Sequence, residues 1–155
     1  RANVAYFGTF GYELDLNKLS YEEISEVKQQ IAFMKEYREL IQFGTFYRLK
    51  SPFEGNETAW MTVSEDKKTA LVFWYRERNV VNADFTRVRL QGLDPDFIYR
   101  NEYNGTENYG DELMNLGLLT TDCTAGEPTS EDAPCTDYES RIYVLTTVAR
   151  IPSPL

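Results

Sequence analysis

Residues 58–76 read T-A-W-M-T-V-S-E-D-K-K-T-A-L-V-F-W-Y-R, and this stretch is the clearest indicator of the fold class. Two runs rich in aromatic and β-branched residues flank the polar tetrapeptide E-D-K-K. Such residues favour strands, and a short polar turn between two such runs is typical of paired antiparallel strands. We therefore predict strands at residues 58–63 and 69–76.

Similar runs recur on both sides of this stretch, with turn-forming residues between them. They predict further strands at residues 45–50, 85–90, 97–103 and 141–148. The segment Y-G-D-E-L-M-N-L-G predicts a single helical turn that ends at Gly117. Short strands at this spacing favour an antiparallel β-sandwich, which we place at residues 45–155.

The first 44 residues show a different pattern. The run V-A-Y-F-G-T-F at residues 4–10 predicts a buried strand. Ser20 and Glu23 have the spacing of a capping box, and apolar residues then recur at steps of three and four from Ile24. We expect an amphipathic helix of about 23 residues that Gly44 ends from the C′ position. The chain is thus mainly β, with one strand and one long helix before the sandwich.

A lone strand and helix do not make a fold, but they are the natural last element of a parallel βα barrel or of a doubly wound sheet. We therefore divide the chain into residues 1–44 and residues 45–155. Because the chain begins at Arg1 without a Met, we expect it to be processed or cut from a longer protein.

Composition excludes several classes of function. The chain has 155 residues, of which 42% are hydrophobic, and its net charge is −9. That charge argues against nucleic acid and against anionic membrane surfaces as partners, and no apolar run is long enough for a membrane helix. There is no His, so catalysis by a Ser-His or Cys-His arrangement is excluded. We predict no metal and no cofactor.

Two features bear on the cellular compartment. Cys123 and Cys135 flank a polar loop that contains Pro, and are either free thiols or a disulfide that closes the loop. We predict the disulfide, because such a loop gives the cysteines no core in which to lie. Asn56 and Asn104 each begin an N-glycosylation pattern.

Several blocks of sequence, taken together and in order, carry a family resemblance. They are F-G-T-F-G-Y-E-L-D-L-N-K-L-S, E-Y-R-E-L-I-Q-F-G, F-Y-R-L-K-S-P-F, A-W-M-T-V-S-E-D and G-D-E-L-M-N-L-G-L. The chain resembles the C-terminal end of glycoside hydrolase family 36 α-galactosidases. The resemblance implies that an N-terminal β-supersandwich and a (β/α)8 barrel precede this C-terminal sandwich. It also implies that residues 1–44 are the last βα unit of that barrel.

The resemblance also implies an activity that this chain does not carry out alone. Family members cleave terminal α-1,6-linked galactose from melibiose and raffinose with retention, using aspartates in K-W-D-type and S-D-N-type motifs. Neither motif occurs here, so we assign no catalytic residue to the chain. The cysteine-flanked loop departs from the family pattern, and with the predicted disulfide it favours a secreted member over a cytoplasmic one.

Glu13 and Asp15, two positions apart in G-Y-E-L-D-L, suggest the carboxylate pair of a glycosidase. Two neighbours on one strand cannot lie on opposite sides of a scissile bond, however. We expect these family-marker residues to hold the turn before the helix by accepting backbone N–H or Arg hydrogen bonds.

Other residue clusters have simpler interpretations. Trp60, Trp74, Tyr75 and Tyr99 could form a sugar platform, but alternation predicts that both tryptophans point into the core. Glu107, Asp111 and Glu112 lack the spacing of a calcium loop, so we interpret them as a solvated acidic turn.

Three hypotheses of function follow. In the first, the chain is the C-terminal part of a retaining α-galactosidase, whose partners are the rest of the enzyme and, in the whole protein, an oligosaccharide. The second is a stand-alone carbohydrate-binding module. The third is a structural or oligomerisation domain without sugar contact. The long apolar helix favours the first, and assembly into a homo-oligomer is left open.

Overall fold

The computed structural model describes residues 2–79, 85–120 and 137–150. The chain divides into two compact units, residues 1–44 and residues 45–155. Cys123 and Cys135 lie outside the described residues, as does the C-terminal pentapeptide.

The first unit is helical. A short helix α1, Ala2–Ala5, is followed by a 3-10 turn at Leu16–Lys18 and the long helix α2, Tyr21–Phe43. The predicted strand at residues 4–10 is therefore wrong. A strand is stable only when neighbouring strands satisfy its backbone hydrogen bonds, and no strand is described in residues 2–44 to do so. Instead, Tyr6 and Gly8 donate backbone hydrogen bonds to Ala2 and Ala5.

Helix α2 begins and ends where the sequence predicts. The Ser20 side chain accepts a hydrogen bond from the Glu23 backbone N–H at 3.2 Å, and the Glu23 carboxylate accepts one from Ser20 N–H at 2.8 Å, so the capping box is confirmed. Gly44 is the C-cap, but its backbone is extended with φ of −67°. The predicted C′ role, which needs a left-handed residue, is therefore wrong, because the chain passes directly into a strand.

The second unit is an antiparallel sheet with a smaller sheet beside it. The large sheet has the strand order β1-β2-β3-β8-β5-β6, and the small one pairs β4 with β7. The strands are β1 Thr45–Lys50, β2 Glu57–Val63, β3 Thr69–Arg76, β4 Arg87–Val88, β5 Phe97–Asn101, β6 Glu107–Tyr109, β7 Leu118–Leu119 and β8 Glu139–Arg150, and helix α3 is Gly110–Asn115.

The predicted strands are confirmed, with differences at their ends. The hairpin that the sequence marks most clearly is present, with β2 and β3 paired from Glu57–Arg76 to Val63–Ala70. The predicted strand at 85–90 is shorter, and the two short strands β6 and β7 were not predicted. Two or three residues are too few to show an alternating pattern, so only their neighbours define these strands.

The core lies between the two sheets, which confirms the antiparallel β-sandwich. Met61, Val72 and Trp74 of the large sheet are fully buried, and they cluster with Val88 and Leu118 of the small sheet. Because side chains alternate along a strand, one face of β2 and β3 supplies this core and the other face points away from it.

Two glycines let backbone segments of the sandwich approach closely. A Cβ on Gly110, at the start of α3, would lie 2.0 Å from the Asp94 carbonyl oxygen. Gly117 has a φ of +92°, and a Cβ there would lie 2.9 Å from the backbone of Val88. The prediction that Gly117 ends the short helix is confirmed, because this left-handed conformation cannot continue a helix.

Candidate functional site

Asp15 stabilises the turn that precedes the long helix. Its Oδ1 accepts hydrogen bonds from the backbone N–H and the side-chain amide of Asn17, both at 3.1 Å, and its other oxygen lies 3.8 Å from the Lys18 ammonium. Asp15 is thus the N-cap of the 3-10 turn at Leu16–Lys18. The structure gives this carboxylate a structural contact within its own turn.

Glu13 does not join Asp15 in a shared site. Its side chain is exposed, and among the described residues no hydrogen bond or ion pair of Glu13 is found. A general acid and a nucleophile would both need partners that hold them against a substrate. Nothing in this turn therefore forms a catalytic pair.

An apolar groove of about 570 Å³ lies within residues 10–38. Leu14, Leu16 and Leu19 line one side of it, and helix α2 contributes Ile24, Val27, Ile31 and Met34 to the other. These are the helix positions that the sequence identifies as apolar. Only Met34 in this set is buried, so the groove leaves much of the apolar face of α2 exposed within its own unit.

The two N-glycosylation patterns lie in different environments. The Asn56 side chain makes a two-point pair with the backbone of Arg78, donating to its carbonyl and accepting from its N–H at 2.9 Å. The Asn104 side chain is exposed, and its Oδ1 accepts from the N–H and the hydroxyl of Thr106 at 3.1 and 2.8 Å. Asn56 therefore connects the ends of β2 and β3, whereas Asn104 lies in an open turn.

No cluster of metal ligands is found in the described residues. Asp111 accepts a hydrogen bond from the Glu112 N–H, and Glu112 accepts one from the Tyr109 N–H, which places both at the start of α3. Glu107 is exposed on β6.

In the part of the chain that the structure describes, no helix combines the length and the apolar character that crossing a bilayer requires.

The four aromatic residues considered for a sugar platform do not form a single cluster. Trp74 and Tyr99 belong to the core, and Tyr99 donates from its hydroxyl to the Lys67 carbonyl at 2.7 Å. Burial raises the pKa of Tyr75 far above its usual value. Trp60 is half-buried, and its ring centroid lies 4.8 Å from that of Tyr75.

The prediction that Trp60 points into the core is wrong. Ala59 pairs with Trp74 on the core face, so Trp60, the next residue, points to the opposite face of the sheet. Both faces of β2 and β3 carry aromatic or aliphatic residues, and the alternation in sequence does not reveal which face meets the small sheet.

A largely buried group of charges lies beside Trp74. The Glu139 carboxylate forms ion pairs with the guanidinium groups of both Arg76 and Arg141. These two guanidinium carbons lie 5.4 and 5.8 Å from the Trp74 ring, a cation–π arrangement. The sequence did not indicate this group, because Arg76 and Glu139 are 63 positions apart.

A second groove, of about 480 Å³, lies on the hairpin that connects β1 and β2. Phe46, Trp60 and Phe53 line it, and Phe53 is 95% exposed. Arg48, Lys50 and Glu54 add charged groups to its lining. The sequence gives one signal for this site, which is a Phe placed directly after Pro52 in a turn.

The chain thus consists of a helical unit and a β-sandwich unit. Comparison with known families identifies the family to which these units belong. Residues 57–145 match the model described as glycosyl hydrolase family 36 C-terminal domain, and residues 1–44 match the model described as melibiase. The chain belongs to glycosyl hydrolase family 36.

Relatives and solved structures agree with this assignment. The chain is 52% identical over 118 residues to α-galactosidase AgaA of Geobacillus stearothermophilus, covering 76% of the chain and 16% of that protein. A variant of AgaA crystallised with raffinose has a TM-score of 0.81 at 44% identity, with 95% of the chain and 19% of that structure covered. The α-galactosidase from Lactobacillus brevis has a TM-score of 0.85 at 37% identity, with 99% and 20% covered.

The chain therefore spans less than a fifth of the length of the curated relative it matches. These relatives are α-galactosidases. The family model that matches residues 57–145 describes a C-terminal domain.

Proposed function

We propose that this chain is the C-terminal part of a retaining α-galactosidase that hydrolyses terminal α-1,6-galactosides of the melibiose and raffinose type. The family match over residues 1–44 and 57–145 carries the proposal. The raffinose bound in a related AgaA variant supports the choice of substrate class.

The segment supplies no catalytic aspartate and serves to support the catalytic barrel. Glu13 and Asp15 lie in an exposed turn, where Asp15 binds its own backbone neighbours. The apolar groove along α2 supports a role in barrel packing, since exposed apolar surface of this extent favours burial against further protein. Residues 1–44 accordingly belong to the barrel of the whole enzyme.

The first experiment tests whether the chain is part of a longer enzyme. An antibody raised against the 155-residue chain should detect, in extracts of the source organism, a polypeptide several times longer than the chain. A single band at the size of 155 residues would contradict the proposal.

The second experiment tests the chemistry. The intact enzyme should release galactose from raffinose and p-nitrophenyl α-galactoside, and ¹H NMR should show the α-anomer first, as retention requires. The 155-residue chain alone should release none. Hydrolysis by the chain alone would show that the catalytic residues are in this segment.

A further inference from the structure

We propose that the groove on the β1–β2 hairpin is a saccharide-binding site and that it takes a galactose-containing oligosaccharide. The choice of sugar rests on the proposed function. The existence of the site rests on the groove itself, which Phe46, Trp60 and Phe53 line together with Arg48 and Glu54.

The shape and size of the groove suit a small ligand. Its volume of about 480 Å³ falls within the range of roughly 300–1,000 Å³ that small-molecule sites show. The residues that line it come from two adjacent strands and the turn between them, so the paired strands hold the base of the groove in place. In register, Arg48 lies opposite Trp60 and Phe46 lies opposite Thr62.

The side chains at the groove match the two surfaces of a pyranose ring. One face of the ring carries C–H groups and lies favourably against an aromatic side chain, while its edge carries hydroxyls that need hydrogen-bonding groups. Phe53 is 95% exposed and Phe46 is 43% exposed, so both rings are accessible to such a face.

Charged side chains complete the match at the rim. The Arg48 guanidinium carbon lies 5.4 Å from the Phe46 ring centroid, which holds its N–H donors beside the aromatic base. The Glu54 side chain is exposed and offers carboxylate acceptors, and the Lys50 ammonium is fixed by an ion pair with Glu57. A neutral, hydroxyl-rich ligand satisfies both kinds of group without burying an unpaired charge.

Tryptophan fluorescence of the 155-residue chain provides a direct test, with stachyose as the ligand. Trp60 lines the groove, and the other tryptophan, Trp74, is fully buried in the core. We expect a saturable change in emission with a dissociation constant on the order of 1 mM, because a half-open groove buries little of the ligand. Glucose should bind more weakly. The absence of a saturable change would overturn the proposal.

Variants locate the site. Phe53→Ser should weaken binding by about two- to tenfold, the value of one aromatic stack, and its exposure means that the fold should not change. Leu116→Ser is the matched control, because Leu116 is 62% exposed in the same unit and lies outside the groove. If the parent and Phe53→Ser bind stachyose with equal affinity, the ligand does not bind in this groove and the proposal is overturned.

Two further outcomes separate this inference from its alternatives. If Phe53→Ser converts an oligomer into a monomer in analytical ultracentrifugation, the groove is an interface between copies and the proposal is overturned.

The hydrolytic activity of the intact enzyme on p-nitrophenyl α-galactoside is measured in parallel. Hydrolysis without saccharide binding at the groove would overturn only this inference, whereas binding without hydrolysis would support the site and contradict the proposed function.

Discussion

The two units of the chain differ in how completely each buries its own apolar surface. In the sandwich, residues of both sheets form one cluster whose members are almost fully buried, including Met61, Trp74 and Leu145. In residues 2–44 only Tyr6 and Met34 reach that level of burial. The apolar positions of α2 line an open groove instead.

This difference follows from the secondary structure of each unit. Strands in a sheet satisfy one another's backbone hydrogen bonds, and a second sheet covers the apolar face. A helix satisfies its own backbone but needs another element to cover its apolar stripe. We infer that the sandwich is the more stable unit. Four measurements test the contacts within each unit on which this inference depends.

The largest effect is expected in the sandwich core. Trp74→Ala should lower the free energy of unfolding by about 3–5 kcal/mol, because it leaves a large cavity and removes the ring that contacts Arg76 and Arg141. Urea denaturation measures this change. Phe53→Ala, at the most exposed aromatic residue of the same unit, is the control and should lie within about 0.5 kcal/mol of the parent. A loss below about 1 kcal/mol for Trp74→Ala would contradict the assignment of Trp74 to the core.

A smaller effect is expected where backbone segments of the sandwich meet. Gly110→Ala should cost about 1–3 kcal/mol, because the new methyl group would overlap the Asp94 carbonyl. Gly55→Ala is the matched control, since a Cβ there meets nothing within 4 Å, and it should be close to neutral. Equal stabilities of the two variants would show that α3 does not approach residue 94 this closely.

Alkaline pH should weaken both units through buried tyrosines. Burial raises the pKa of Tyr6, with a further contribution from Tyr12, and burial raises the pKa of Tyr99 above its usual value near 10. The stabilisation is complete below the unfolded-state pKa and is lost as pH rises through the raised folded-state pKa. Each such tyrosine lowers the free energy of unfolding by about 1.4 kcal/mol per pH unit in that window.

Urea midpoints measured between about pH 9 and about pH 11 check this pH dependence. Tyr99→Phe should be less stable than the parent at neutral pH, because it loses the hydrogen bond to the Lys67 carbonyl. It should nevertheless lose less stability than the parent as the pH rises. An unchanged slope would contradict a raised pKa for Tyr99.

The smallest effect is expected in the helical unit. Ser20→Ala removes the cap of α2 and should cost about 1 kcal/mol. Hydrogen exchange with mass spectrometry should show faster exchange in α2, with β2 and β3 unchanged. Ser20→Asp, which retains a capping oxygen, is the control and should restore protection. Faster exchange throughout the sheet would contradict the separate behaviour of the two units.

The sequence predicted the elements whose signals are local. The hairpin of β2 and β3 and the capped helix α2 both depend on patterns within a few residues. The strand at residues 4–10 was predicted from its composition and is absent, because strand formation depends on partners that no local pattern supplies. The predicted disulfide between Cys123 and Cys135, and the secreted location it favours, stay predictions.

The candidate sites also divide into features that a local sequence pattern predicts and features that depend on residues distant in the chain. The family-marker turn at Glu13 and Asp15 could be read from the sequence, and Asp15 does bind within its own turn. The orientation of Trp60 could not, since its neighbours make both faces of the strand look alike. The groove that Trp60 shares with Phe46 and Phe53 also depends on how β1 pairs with β2.

By itself, the sequence determined that this protein is a mainly β chain with a long capped helix and a family 36 pattern, because turns, caps and periodicity act over neighbouring residues. Only the tertiary structure decided which face of each strand forms the core and which residues, distant in sequence, come together. The ion pairs of Glu139 with Arg76 and Arg141 are one example. Strand pairing brings these residues together through hydrogen bonds between segments far apart in the chain, and no local pattern encodes such contacts.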